Sequence, residues 1–173
     1  GLRQVFTAFT KGYRPADHLT ELFDALCSCN GFNAQQLNCV AEGSEKAVAG
    51  HSMEEVQAWL QTKGAGAPEP LSSGLADIAG EQFHYSRLMA VGLFSLLSSA
   101  QGVESQDPED LCKTAHSIGE QIGLSRPRLE KDLGLYRSNL EKMAQAVELM
   151  EETLASERRK RERQASESKQ SQD

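Results

Sequence analysis

Four cysteines and four histidines are the side chains in this sequence with the richest chemistry. Cys27, Cys29 and Cys39 follow a C-x-C-x9-C spacing, and Cys112 stands far from them. Structural zinc sites use C-x2-4-C pairs. On a helix, residues i and i+2 point about 200° apart, so Cys27 and Cys29 cannot grip one ion without unwinding the backbone. The thiols therefore read as buried or incidental, and free cysteines with no secretory signal fit a reducing compartment. His18, His51, His84 and His116 fall in four different predicted elements and form no H-x3-H pair. No metal and no cofactor is expected.

The densest polar cluster is Gln82-Phe83-His84-Tyr85-Ser86-Arg87. A His/Tyr/Ser/Arg group has the types needed for acid–base work or for ligating a pigment. In that alternative reading the chain is a ligand-binding helical bundle, with His84 and Tyr85 lining an apolar pocket beside Phe94 and Trp59. The plainer reading is a polar helix start whose side chains bond to neighbouring loops. Catalytic motifs are lacking: there is no G-x-S-x-G, no H-E-x-x-H and no Walker lysine loop. Gly64-Ala65-Gly66-Ala67 looks like the front of a phosphate loop, but Pro68-Glu69-Pro70 stands where a helix would have to open. The carboxylates are strung along helix faces rather than paired. The sequence offers no catalytic residue, and an enzyme is not expected.

The elements that carry these residues are helices. Residues 1–11 are periodic in Leu2, Val5, Phe6 and Phe9, and the period stops at Gly12-Tyr13-Arg14-Pro15. Leu19, Leu22, Phe23 and Leu26 mark a second helix that ends at Asn30-Gly31. Asn33 with Gln36, and Ser52 with Glu55, are N-cap pairs for two more. Lys63–Gly74 reads as a Gly/Ala/Pro/Ser loop. An apolar helix follows over about residues 80–100. Asp107-Pro108-Glu109-Asp110 opens another, with an N-cap, a first-position proline and first-turn acids. Ser125 opens the last and longest. β-Branched residues are sparse and no segment alternates, so the fold class is all-α, a bundle of about seven helices. Its body is to be held by Leu22, Phe23, Leu26, Trp59, Leu88, Val91, Leu93, Phe94 and Leu97. No run of 18 apolar residues exists, so no membrane span is expected. The chain opens on Gly1 inside a periodic stretch, which reads as a helix cut part-way.

The last helix carries a heptad seam: Leu129, Leu133, Tyr136, Leu140, Met143, Val147, Met150 and Leu154 are spaced alternately four and three apart. That is the pattern of a coiled coil or a long packed helix. Glu141, Glu148, Glu151 and Glu152 flank it. It runs into a basic block, Arg158, Arg159, Lys160, Arg161 and Arg163. Residues 157–163 hold five cations and two anions; that local +3 leaves −10 on the rest of a chain of net charge −7. An acidic body argues against nucleic acid as a partner. The block has two readings: cations complementing the dipole of a helix that ends near residue 162, or a contact for an acidic partner or anionic membrane surface. A mean hydropathy of −0.49 and an aromatic share of 6% place the chain on the polar side of globular proteins.

Four stretches together resemble the thylakoid formation protein family, also described as a photosystem II biogenesis protein. They are Phe9-Thr10-Lys11-Gly12-Tyr13-Arg14-Pro15, Leu22-Phe23-Asp24-Ala25-Leu26-Cys27, Phe83-His84-Tyr85-Ser86-Arg87-Leu88-Met89-Ala90-Val91-Gly92-Leu93-Phe94, and Leu135-Tyr136-Arg137-Ser138-Asn139-Leu140-Glu141-Lys142-Met143-Ala144-Gln145-Ala146. The third stretch, followed about forty residues later by the D-x3-Y-R-S-N of Asp132–Asn139, is the most specific part. The resemblance covers residues 1 to about 163, is of the cyanobacterial type, and implies further N-terminal helices before Leu2. It implies an all-α, non-enzymatic protein with a long C-terminal coiled-coil helix, working in thylakoid organisation and in photosystem II assembly and repair. The partners it implies are the thylakoid FtsH protease complex and the photosystem II assembly and repair machinery. The place it implies is peripheral, on the cytoplasmic side of the thylakoid membrane. The expected organisation is a helical body over residues 1–124, a heptad helix with a basic end over 125–163, and a disordered tail over 164–173.

Overall fold

The computed structural model describes the backbone of residues 1–103 and 107–170, and side chains in those ranges up to residue 164. Among the described residues there are eight α-helices: α1 (Leu2–Phe9), α2 (Leu19–Cys29), α3 (Ala34–Ala49), α4 (Met53–Gln61), α5 (Leu71–Ala76), α6 (Arg87–Ser98), α7 (Pro108–Gln121) and α8 (Arg126–Gln170). There is no strand among them, only one isolated bridge between Ser52 and Gln101. The all-α class is as expected, with one helix more.

Helix starts follow the capping chemistry of the sequence. Asn33 Oδ1 accepts the Gln36 N–H at 2.8 Å. Ser52 and Glu55 form both bonds of a capping box, with the Ser52 N–H donating to Glu55 Oε2 at 2.9 Å. Asp107 Oδ1 accepts the Glu109 N–H at 2.9 Å ahead of Pro108. Each satisfies an amide that the first helical turn would leave orphaned. The apolar helix starts at Arg87 rather than near residue 80 because Ser86 caps it: its Oγ accepts the Met89 N–H.

The extra helix is α5, which starts within the stretch expected to be a loop and runs two residues past it. Leu71 and Leu75, one turn apart, are buried against the core, and that burial offsets the weak helix propensity of Ser72, Ser73 and Gly74. The core is assembled from α3 through α8. It includes Val48, Val56, Leu60, Leu93, Leu97, Ala115 and Ile118, and it is completed by Leu129 and Leu133 from the start of α8. Gly119 permits the α7–α8 approach, since a Cβ there would lie 2.9 Å from Leu129 Cδ1.

Three expected core residues are on the surface instead. Leu22, Leu26 and Leu88 are exposed, whereas Phe23, Val91, Leu93 and Leu97 are buried and Trp59 and Phe94 partly so. On α2 the inward stripe is Phe23 and Cys27, one turn apart. Leu22 and Leu26 sit one residue round the helix and miss it.

The chain divides into two compact units, Gly1–Arg137 and Ser138–Asp173. The boundary falls inside α8 rather than before it, because Leu129 and Leu133 are core residues of the first unit. Nor does α8 end near residue 162: it continues through Gln170, and residues 171–173 lie outside the described set. The physical reason is that no glycine or proline follows Gly134, so nothing in the sequence stops the helix.

Candidate interaction helix and its anchor

The two most specific motifs of the sequence meet in the first unit. The Tyr85 hydroxyl donates to Asp132 Oδ2 at 2.9 Å, and Arg87 Nε lies 3.1 Å from Asp132 Oδ1. The Asp132 side chain is only 9% exposed. One carboxylate thus ties the segment entering α6 to the first turns of α8, with both its oxygens occupied by donors. Burial, then the hydrogen bond and charge of Asp132, push the Tyr85 phenol far above its ordinary range. It stays protonated and donating at any physiological pH. The arrangement suits a fixed clasp and not a proton relay, because the Tyr85 phenol is not poised to release a proton near neutrality. Leu129 and Leu133, on either side of Asp132, sink into the core and complete the anchor.

The neighbouring groups are structural too. Tyr136 stacks at a tilt on Phe9, ring centres 6.1 Å apart. Burial pushes the Cys112 thiol up, against an opposing pull from the Arg137 guanidinium. His116 is largely covered, 4.0 Å from Glu130, and its Nε2 is buried with no hydrogen-bond partner. Burial lowers its pKa, Glu130 raises it and Arg126 lowers it further.

The pocket of the ligand-binding alternative is not assembled as expected. His84 is exposed, its Nδ1 2.7 Å from the Gln82 carbonyl oxygen, and the Tyr85 hydroxyl is committed to Asp132. An apolar cavity of about 270 Å³ does exist, lined by Leu60, Leu71, Leu75, Phe83, Leu93 and Leu96 among others, but none of His84, Tyr85, Phe94 or Trp59 lines it. Among the described residues no three His, Cys, Asp or Glu side chains are grouped to hold a metal. Cys27 is buried while Cys29 and Cys39 are exposed.

Beyond Arg137 the seam changes character. Leu140, Met143 and Val147 are of intermediate exposure, Met150 is 48% exposed and Leu154 49%. Leu149, off the seam, is 63% exposed. Arg158, Arg159, Lys160, Arg161 and Arg163 are all exposed. The continuation of α8 to Gln170 removes the dipole reading of this block: its last cation is seven residues, about two turns, before the helix end, and the dipole acts only within the last turn. Among the described residues no helix is long and apolar enough to cross a membrane.

Sequence reasoning misses the Asp132 clasp. A signal for it exists: Asp132 stands between two seam leucines, at the edge of a face that has to be buried, and a carboxylate there requires donors.

Comparison with known proteins agrees with this architecture. A model of the thylakoid formation protein family matches residues 1–165. Protein Thf1 of Prochlorococcus marinus (strain MIT 9313) is 60% identical over 163 residues, covering 94% of this chain and 67% of its own. Protein Thf1 of Synechococcus elongatus (strain ATCC 33912 / PCC 7942 / FACHB-805) is 42% identical, covering 93% of this chain and 65% of its own. The solved structure of Psb29 superposes with a TM-score of 0.72 at 31% identity, over 91% of this chain and 72% of that one. With a family match across nearly its whole length and relatives at this level of identity, the chain belongs to the thylakoid formation protein family.

Proposed function

We propose that the chain is a non-enzymatic accessory protein of thylakoid formation and of photosystem II biogenesis and repair. It works by associating with and stabilising the thylakoid FtsH protease complex, from a peripheral position on the cytoplasmic face of the membrane. The observation that carries this reading is a helix whose first turns are clasped into the body and whose later turns expose Leu149, Met150, Leu154 and five cations. Family membership supplies the thylakoid context. The later turns offer a partner both an apolar stripe that ends in exposed Met150 and Leu154 and a charged end. Each cation near an anionic membrane surface contributes on the order of 1 kcal/mol, so five hold a protein loosely and in a salt-dependent way.

The test is a pull-down from solubilised thylakoid membranes with the full chain and with a version ending at residue 156, read by mass spectrometry. FtsH subunits recovered with the first and lost with the second support an adaptor acting through its basic helix end. Equal recovery moves the interface to the body. Recovery of no thylakoid protein with either overturns the reading.

A further inference from the structure

Between α3, α4, α5 and α6 lies the apolar cavity of about 270 Å³, which the proposed adaptor role leaves unused. Voids larger than a water molecule are few in a close-packed domain. The geometry points to a binding slot for one aliphatic chain of about ten carbons, the tail of an amphiphile whose headgroup carries no negative charge.

Shape selects a chain over a compact ligand. The α6 side of the cavity runs from Leu88 through Met89, Gly92 and Leu93 to Leu96. That is about 12 Å of helix. A volume of about 270 Å³ over that length gives a mean cross-section of about 22 Å². Such a slot takes one extended hydrocarbon chain and is too narrow for two. The walls are firm. A Cβ at Gly43 would lie 2.9 Å from the Pro70 ring, and one at Gly64 2.5 Å from the Ser72 carbonyl oxygen, so α3 and the turn after α4 sit directly on α5. With close contacts on both flanks, α5 has little room to settle into the space.

The lining selects hydrocarbon. Leu60, Leu71, Leu75 and Leu93 form the floor, are each 5% exposed or less, and present no polar side-chain atom. An apolar cavity of about 150 Å³ stays dry and takes the six carbons of benzene. On that scale about 270 Å³ takes about eleven carbons.

Charge at the rim selects the headgroup. Val40, Leu88 and Asp77 line the cavity and are exposed, so the slot opens to solvent there. Asp77 is the one charged side chain among the described lining residues. Burial pushes the Gly1 amine, which also lines the slot, down to about 6, so it is largely neutral at about pH 7.5. A carboxylate headgroup would stand beside Asp77 with no cation to answer it. A hydroxyl meets no such repulsion.

The test is a titration of the isotope-labelled full chain with 1-decanol at about pH 7.5, followed by amide NMR shifts. Saturable binding to one site is expected, with shifts centred on α5 and α6 and a Kd of about 0.1 mM or tighter, the level that ligand efficiencies set for this size. From 1-hexanol to 1-decanol affinity should rise about fourfold per methylene. It should level off at 1-dodecanol, whose chain outruns the slot. 1-Adamantanol holds the same ten carbons as a cage and should bind about tenfold more weakly than 1-decanol. Decanoate should also bind more weakly than 1-decanol. Leu93→Phe and Ser44→Leu add carbons to the slot from α6 and α3. Each should weaken 1-decanol about tenfold, close to two methylenes' worth, while a thermal melt stays cooperative. No saturable binding, shifts centred on α8 beyond Arg137, affinity still climbing at 1-dodecanol, or 1-adamantanol or decanoate binding as tightly as 1-decanol would each overturn the inference. So would a folded filling variant that binds like the parent; the shift map and the ligand series decide the matter without either variant.

Discussion

Leu133 and Leu154 occupy the same heptad position of the same helix, three heptads apart. One is 1% exposed and the other 49%. Over Leu129–Leu133 the seam is part of a mixed core built by α3 to α7, while over Met150–Leu154 it is exposed. The periodicity that makes both halves helical says which face is apolar. It says nothing of what covers that face. A covered seam and an uncovered one are therefore written in one pattern, and only the surroundings separate them.

The largest effect should break this comparison open. Leu129→Ala or Leu133→Ala removes a fully buried side chain and is expected to cost about 3 kcal/mol, a large share of a stability of about 5–15 kcal/mol. Leu154→Ala, measured at low protein concentration, should stay within about 0.5 kcal/mol. Urea unfolding of the three variants reads the contrast directly. Equal losses would mean that the distal half is covered within the chain.

The clasp comes next in size. Asp132→Ala leaves the Tyr85 hydroxyl without its acceptor in a partly buried site, for an expected loss of about 2 kcal/mol; Tyr85→Phe removes one hydrogen bond and should cost about 1 kcal/mol. The Arg87 contact adds little, since that side chain is 68% exposed. Asp132→Asn, which keeps an acceptor for Tyr85, should recover most of the loss. If Tyr85→Phe is silent while Asp132→Ala is costly, the carboxylate acts through Arg87 instead.

What is legible in the sequence divides along the same line of local against distant. Ser52–Glu55, Asn33–Gln36 and Asp107-Pro108 each contain their own answer within four residues, and each caps a helix as read. Leu71 and Leu75 need a core to pack on before their loop becomes α5. Leu22 and Leu26 read as core because they are apolar at helical spacing, yet α2 offers only the Phe23–Cys27 stripe to its neighbours. The clasp joins residues 47 apart in sequence, and no local pattern announces that distance. The end of α8 is misread for a different reason: a polar, charged composition looks like disorder, although no helix breaker is present.

A smaller effect concerns His116, which belongs wholly to the anchored half. Its folded pKa lies below the ordinary value of 6.5, chiefly through burial. As pH falls below about 6.5 the unfolded chain takes up a proton that the folded chain resists, so stability declines until the folded pKa is passed, then levels off. Urea midpoints should therefore drop as pH falls below about 6.5, and His116→Gln should flatten that drop. Glu130 acts in the same direction at lower pH: its carboxyl is held below 4.5, first by the Arg126 hydrogen bond, and its contribution is lost only as pH falls below that value. A decline unchanged in His116→Gln would assign the window to another group.

The smallest effect on stability belongs to the basic block, and its smallness is the informative part. Replacing Arg158, Arg159, Lys160, Arg161 and Arg163 by Gln should change stability by less than about 0.3 kcal/mol, because none lies in the last turn of α8, where cations relieve the helix dipole. On the proposed function, such cations serve a contact made by the helix and not its fold. The same variant should lose sedimentation with anionic vesicles at low salt, while the parent chain is released as salt rises past the range where screening is strong. A variant that unfolds more easily and still sediments would reverse the assignment, making the block a structural end of α8 and leaving the apolar stripe as the helix's only contact surface.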